Sequence, residues 1–330
     1  MLFADNLNIT DPRINLAIEE TLLRSGPPEE DILLFYINGP SIIIGRHQNA
    51  IEEINQGYVD EHHIHVVRRL SGGGAVYHDL GNLNYSLILR NGKEEGLNFK
   101  KFTAPVVRAL QQMGAPAEMS GRNDILVDGY KVSGNAIYST REGLVCHGTL
   151  LYDTDLTQLS HALNVKQAKI ESKGIKSVRS RVTNLHPYLK DCADIHEFRL
   201  NILRSIFENA DPIPQVVLDD ALMARVEALA DQRYRTWEWN YGRSPAFNIQ
   251  KVHRFPFGEI DARIDVHNGQ VTQITFFGDY FCNEDIDLLQ GALVGVRYTQ
   301  PALEEALIQA NLECFFESLS PAEFASFLYV

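Results

Sequence analysis

VVRRLSGGGAVYHD, residues 66–79, sets two arginines and three consecutive glycines between two runs of strand character. The loop is not a Walker motif, because no G-x-x-x-x-G-K-[ST] occurs anywhere in the chain. Nor is it a dinucleotide fingerprint, because AVYHD continues as a strand where that motif opens a helix. Glycines without Cβ let backbone N–H groups approach an anion, and guanidinium groups offer a planar fork to carboxylate or phosphate. The stretch therefore predicts a strand–loop–strand that receives a small acidic ligand or a nucleotide phosphate.

Outward from this loop the pattern stays mixed. HIHVV (63–67) leads into it and NLNYSLIL (82–89) follows it, both of strand character. Upstream, ILLFYI (32–37) and SIIIG (41–45) flank an Asn38-Gly39-Pro40 turn signal. Residues 11–25 predict an amphipathic helix with Asp11 as N-cap and Pro12 at its first position. Ile14, Ala17, Ile18, Thr21 and Leu22 fall on one of its faces. Further helical patterns lie near 100–113, 196–209 and 218–230. Strands and helices do not alternate strictly, so the fold class is α+β around a mixed, mainly antiparallel sheet.

SGRNDILVDGYKVSGNA (120–136) carries a second site. Asp128-Gly129 predicts a two-residue type I′ hairpin. That register sets Val127 opposite Tyr130, Leu126 opposite Lys131, Ile125 opposite Val132 and Asp124 opposite Ser133. Alternation then gives Ile125, Val127, Tyr130 and Val132 to a core face, and Asp124, Leu126, Lys131 and Ser133 to the other. Asp124 and Lys131 become diagonal neighbours, roughly 7–8 Å apart at Cα, able to converge on one ligand or simply to pair with each other.

Near 231–250 periodicity fails in an aromatic-rich run holding both tryptophans, which reads as a linker, a partner patch or packing between domains. The expected domains are 1–240 and 241–330. Beyond the break, GEIDARIDV and QVTQITFFG alternate around Asn268-Gly269, a hairpin signal. Helical patterns follow near 284–294, 301–311 and 321–328, the last capped by Ser320.

The 330 residues suffice for two substantial cores. No apolar run approaches the about 18 residues that cross a bilayer, and the N-terminus lacks the pattern of a secretory signal, so a cytoplasmic protein without a membrane partner is expected. A formal charge of −13 argues against non-specific nucleic-acid binding. Any basic site must be local, as at Arg68 and Arg69 or in KIESKGIKSVRSRV (169–182), which composition alone reads as a solvated loop. Cys146, Cys192, Cys282 and Cys314 are widely spaced with no C-x-x-C, as expected of reduced thiols. EHHIH (61–65) is not H-E-x-x-H, and its histidines read as core or solvated residues rather than metal ligands.

Taken together, RRLSGGGAVYHDLGN (68–82), GRND (121–124), GYKVSGNA (129–136), HGTLL (147–151) and KSVRSRVTNL (176–185) resemble the lipoate-protein ligases, in that family's order. The resemblance implies a biotin-ligase-like catalytic domain, a small accessory domain, and a two-step reaction. In it, lipoate and Mg-ATP give lipoyl-AMP, and a lysine of a lipoyl domain then takes the acyl group. Lys131 matches the family's essential lysine and would bridge the acyl carbonyl and the α-phosphate. Arg69, Ser71, Gly73, Gly74, Ala75, Val76, Tyr77 and His78 would cradle the acyl-phosphate and adenine. Asn123 and Asp124 would lie beside the phosphates, Asp124 through Mg²⁺. The resemblance recasts the basic run, with Arg179, Ser180 and Val182, as a cover that keeps water from the adenylate. Arg69, Gly74, Val76, Lys131 and His147, with the 41–49 stretch, would receive lipoate.

Two rivals remain open at this level. Octanoyl or lipoyl transferases of the same fold use a cysteine and no ATP; Cys146 is the one cysteine near a motif, and a strand cysteine is more often a small buried hydrophobe. A non-catalytic lipoate- or nucleotide-binding regulator would be expected to lack Lys131 or to carry a preceding DNA-binding domain. Expected partners are lipoyl domains of E2 subunits of 2-oxoacid dehydrogenases, or the glycine-cleavage H protein. A monomer is the default.

Overall fold

The computed structural model describes the chain except residues 91–97, 122, 164–181, 191, 242–248, 268, 317–318 and 330. The chain divides into two compact units. One comprises residues 1–44, 50–69 and 75–240; the other comprises 45–49, 70–74 and 241–330.

The first unit is built on strands β1 (Leu2–Asp5), β2 (Ile32–Ile37), β3 (Ser41–Ile44), β4 (His65–Arg68), β5 (Val76–His78), β6 (Asn82–Leu89), β7 (Ala117–Ser120), β8 (Asp124–Val127), β9 (Tyr130–Ser139), β10 (Leu144–Leu151) and β11 (Gln215–Val216). Eight of them form one sheet in the order β11-β1-β2-β6-β10-β9-β8-β7. Only the β11-β1 and β1-β2 pairings are parallel, as the mixed, mainly antiparallel α+β reading expects. The short β4-β3-β5 sheet carries the arginine and histidine ends of the glycine-loop motif. Ile42, Ile43 and Ile44 on its central strand are buried to 2% exposure or less.

Helix α1 (Pro12–Ser25) begins at Asp11, whose side chain accepts from the Arg13 N–H. Such a cap contributes about 1 kcal/mol. Its burial exceeds the one-face pattern of its apolar residues: every residue from Ile14 to Leu23 is buried, Asn15, Glu19 and Glu20 included. Glu20 accepts from Arg233 (2.7 Å) and Tyr234 (2.8 Å), which binds α1 to the π-helical turn Ala230–Tyr234. Polar side chains on this helix are therefore committed to partners inside the unit, the condition under which buried charge is tolerated.

The 120–136 hairpin forms with a bulge that its turn did not announce. Asp128 and Gly129 both have positive φ, as a type I′ turn requires, and Val127↔Tyr130 and Leu126↔Lys131 pair as expected. Val132 is then an extra residue, so Ile125 faces Ser133 and Asp124 faces Gly134 in place of Val132 and Ser133. Ser133 is consequently buried, not on an open charged face. Tyr130, beside the turn, is 45% exposed instead of core.

Within residues 231–241 the aromatic run is tied to β4 by hydrogen bonds. Trp239 Nε1 donates to the Arg68 carbonyl at 2.8 Å, and Arg68 Nε donates to the Trp239 carbonyl at 2.9 Å. Asn240 Oδ1 accepts from the Arg68 N–H. Residues 230–240 thus belong to the first unit and anchor the end of β4, where a linker was expected.

The second unit contains β12 (Ile249–Phe255), β13 (Gly258–His267) and β14 (Gln270–Gly278), an antiparallel sheet with His267↔Gln270 closing the expected hairpin. β12 escaped the sequence reading because its middle is exposed and polar, QKVHR, as suits an edge strand. Helices Ile286–Leu293, Gln300–Gln309 and Pro321–Tyr329 pack over a core that includes Phe255, Phe276, Phe316 and Phe324.

Candidate functional site

The first unit gathers one buried polar cluster from four separated stretches of sequence. Arg69, just past β4, is 6% exposed; its N–H donates to the Ile44 carbonyl and its Nη1 to the Ile43 carbonyl at 2.9 Å. Burial pulls its guanidinium down to about 10, against the opposing pull of Tyr36 and Glu19, so it stays charged at neutral pH. His147 on β10 is 6% exposed, with Nδ1 2.9 Å from Glu19 Oε2. Burial pushes the Glu19 carboxyl up, but the charge and hydrogen bond of His147 and the Tyr138 hydroxyl outweigh it, so the carboxyl lies below its ordinary value.

His78, at the end of β5, is 4% exposed, and its Nδ1 lies 3.0 Å from Asn38 Nδ2. Burial, reinforced by Arg69 and His147, drives its pKa down to about 3, so the ring is neutral near pH 7. Val76 pairs with Ile43 and His78 with Ser41, so alternation sends Tyr77 to the opposite side of β5 from both. Burial, with Asp79 and Asp155 next, raises the Tyr77 phenol to about 12. Ala75 and Val76 are half-buried.

A second group lies on the β8–β9 hairpin. Lys131 Nζ is 2.7 Å from Asp124 Oδ1, both side chains about a third exposed or less (34% and 26%). A Cβ at Gly134 would stand 3.0 Å from Lys131 Nζ, so glycine there leaves the ammonium its resting place. Asn123 is held structurally: its Nδ2 donates to the Asn135 carbonyl at 2.7 Å, and Asn135 Nδ2 returns a 3.0 Å bond to the Asn123 carbonyl. Tyr85 donates to Asn135 Oδ1, which ties this clamp into the main sheet. Val182 pairs with Lys131 in a parallel bridge, and Thr183 N–H donates to the Lys131 carbonyl at 3.0 Å. Arg179 and Ser180 lie outside the described residues.

Ser71, Gly73 and Gly74 belong to the second unit, and so do Gly45–Asn49 of the expected lipoate slot. The three consecutive glycines have three different reasons. A Cβ at Gly72 would stand 2.3 Å from the Tyr280 carbonyl oxygen. Gly73 has φ +88° and donates to that same oxygen at 3.3 Å. Gly74 has open space where a side chain would be. His47 stacks on the Tyr280 ring, with centroids 4.5 Å apart. Gly72 and Gly73 therefore serve backbone packing against Tyr280 within the second unit, and Gly74 leaves room for an approaching group.

Glu19, Tyr36, Asn38, Gly134 and Asn135 were not singled out from sequence. The available signal was modest: Asn15 and Glu19 are polar residues one turn apart, separated by Leu16, Ala17 and Ile18. Among the described residues no group of three or more His, Cys, Asp or Glu could hold a metal ion. A magnesium ion that arrives with a polyphosphate needs only one or two protein carboxylates, and Asp124, 26% exposed and paired with Lys131, is a carboxylate that could turn to such an ion.

The catalytic-domain family model for lipoyl protein ligase A/B matches residues 11–207, and that for the bacterial lipoate protein ligase C-terminus matches 244–328. The chain is 48% identical over 331 residues to Lipoate-protein ligase LplJ of Bacillus subtilis, covering all of both chains. Among solved structures it resembles the bipartite lipoate protein ligase of Thermoplasma acidophilum, described with its E2 lipoyl domain, at 31% identity and TM-score 0.63 over 75% of this chain and 98% of that one. It also resembles lipoate-protein ligase A bound with ATP, at 30% identity and TM-score 0.59 over 73% and 97%. With both halves matched and full-length identity near one half, the chain belongs to the lipoate-protein ligase family, and it is an enzyme.

Proposed function

We propose that the chain joins lipoate to a lysine of a lipoyl domain at the expense of ATP, with Lys131 as the catalytic cation. The observation that carries this reading is the Lys131 ammonium, set on a bulged hairpin beside Asp124 with Gly134 cleared for it, inside the segment that matches the catalytic domain. The ATP-bound relative supports the nucleotide, and the Thermoplasma pairing supports an E2 lipoyl domain as acceptor; the glycine-cleavage H protein is the other acceptor of this kind.

In the first step a lipoate carboxylate oxygen attacks the α-phosphorus, the bond to the bridging oxygen breaks, and pyrophosphate leaves. Two anions must approach, so fixed cations dominate the barrier. Lys131 would lie between the acyl oxygen and the α-phosphate, and Arg69 would face the same charge. Ser71 and the 73–78 segment would line the nucleotide and acyl-phosphate, with Gly74 as the point of closest approach. Asp124 would hold a magnesium ion, which neutralises phosphate charge when bound. Asn123 would act by fixing the hairpin that carries Asp124. Val76 and His147 would flank the acyl chain, and Val182, bridged to Lys131, would with Arg179 and Ser180 help to cover the adenylate.

In the second step the acceptor amine attacks the acyl carbon, AMP leaves with the bonding pair, and the amine loses a proton. The cysteine-transferase reading is disfavoured by one observation: Cys146 has no exposure, and burial pushes its thiol far up, so the nucleophilic thiolate is suppressed. ATP–pyrophosphate exchange tests the proposal. Lipoate-dependent exchange is expected, with Lys131→Ala abolishing it in a folded protein. Exchange at the wild-type rate in that variant removes Lys131 from the mechanism.

A further inference from the structure

A line of three buried asparagines ends on His78. Asn6 Nδ2 donates to the Ile9 carbonyl at 2.8 Å and to Asn15 Oδ1 at 3.0 Å. Asn15 Nδ2 donates to the same Ile9 carbonyl at 2.8 Å and to Asn38 Oδ1 at 2.9 Å. Asn38 Nδ2 then meets His78 Nδ1 at 3.0 Å. Asn15 and Asn38 have no exposure, Asn6 2% and His78 4%.

The direction of this line follows from chemistry. A backbone carbonyl only accepts, so the amide nitrogens of Asn6 and Asn15 must both face the Ile9 oxygen. Asn15 also turns Nδ2 toward Asn38, so Asn38 presents its oxygen to Asn15 and its nitrogen to the ring. His78 Nδ1 must then accept, and a protonated Nδ1 would set two donors against each other at 3.0 Å. The ring is left neutral with its proton on Nε2. Among the described residues that Nε2 has no hydrogen-bond partner, although it is buried. A buried donor without a partner is costly in a folded protein and calls for a reason.

We propose that Asn38, oriented by Asn15 and Asn6, is a positioning residue that locks His78 as the Nε2–H tautomer, so that the ring gives one hydrogen bond to an oxygen of the acyl-adenylate. The identity of that acceptor rests on the ligase reading; the tautomer does not. Arg69 and His147 act electrostatically on the same ring, and both disfavour a second proton on it. Helix α1 sets both histidines of the cluster: Asn15 through Asn38, and Glu19, four residues on, directly at His147 Nδ1.

The test is long-range ¹H–¹⁵N correlation of the imidazole rings in uniformly labelled full-length protein, with His78 assigned by its loss in His78→Gln. The expected wild-type pattern at neutral pH is a neutral ring protonated on Nε2, whose proton moves downfield when ATP and lipoate are added together. Asn38→Asp replaces the donor by an acceptor, so the proton should shift to Nδ1. Lipoate-dependent pyrophosphate exchange should then fall about 100- to 1000-fold, since one transition-state donor is lost.

A wild-type ring protonated on Nδ1, or doubly protonated, overturns the proposal. So does a relocated proton in Asn38→Asp with exchange unchanged. If Asn38→Asp does not fold, the wild-type spectrum and its response to the two substrates decide. An absence of lipoate-dependent exchange in the wild-type chain sinks the ligase reading, and with it the named acceptor, whatever tautomer is seen.

Discussion

Gly134→Ala should separate catalysis from stability. The added methyl would lie 3.0 Å from Lys131 Nζ and 3.2 Å from Cε. Ordinary contacts of such atoms begin near ~3.5 Å, so the ammonium must withdraw by about 0.5 Å. The crowded atoms are the end of a flexible side chain, and a partial rotation of Lys131 relieves them at a cost of about 1 kcal/mol or less. Catalysis is less forgiving, because a misplacement of about 1 Å can cost ~100-fold. Half that displacement implies a loss of about tenfold, or ~1.4 kcal/mol in the barrier. The assay is lipoate-dependent ATP–pyrophosphate exchange beside thermal unfolding of the same preparation. Gly148→Ala is the contrast, since its methyl would meet the buried Tyr85 hydroxyl at 2.8 Å and crowd Asn135 still more, so stability should fail first. Exchange in Gly134→Ala within about twofold of wild type would refute the idea that this glycine exists to seat the lysine.

Three further outcomes are expected. Glu19→Gln should destabilise the first unit by about 3 kcal/mol, because a buried charged partner of His147 is lost. Because the folded Glu19 carboxyl lies below its ordinary value, its contribution is complete above the unfolded pKa of about 4.3 and disappears as pH falls through the folded value, so the variant's stability curve should be flatter on the acid side; an unchanged acid limb in chemical denaturation speaks against the pairing. Cys146→Ser should retain most activity while losing about 1–3 kcal/mol of stability to a buried hydroxyl, and a folded but inactive variant would restore the transferase reading. Trp239→Phe removes the bond from Nε1 to the Arg68 carbonyl and should cost about 1 kcal/mol in thermal unfolding, with the exchange reaction affected through Arg69 if β4 loosens; no change in either measurement would show that this anchor is idle.

Much of the molecule was legible locally. The helix at Asp11-Pro12, the type I′ turn at Asp128-Gly129, the Asn268-Gly269 hairpin and the mixed α+β character each follow from residues next to one another, because caps, turns and alternation are short-range effects. The ordered motifs likewise pointed to the family, since Lys131 and the glycine loop are read as strings. What stayed hidden depends on neighbours distant in sequence. The Val132 bulge arises from the strand partners beyond the turn, and it alone moved Ser133 inward and set Asp124 opposite Gly134. The two-sided burial of α1 could not be inferred from an amphipathic wheel, so Glu19 and Asn15 stayed outside the apolar face read from the sequence although both are buried.

The sequence by itself determined which side chains can carry charge and where most of the helices, turns and strands lie, because these depend on side-chain chemistry within a few residues. Only the tertiary structure decided what those groups do. Glu19 reaches His147 across 128 residues, Asn38 reaches His78 across 40, and two of the three glycines answer to Tyr280 more than 200 residues away. Burial shifts a pKa, fixes a tautomer or forbids a Cβ only once packing has removed water from the group, and packing is a property of the whole fold.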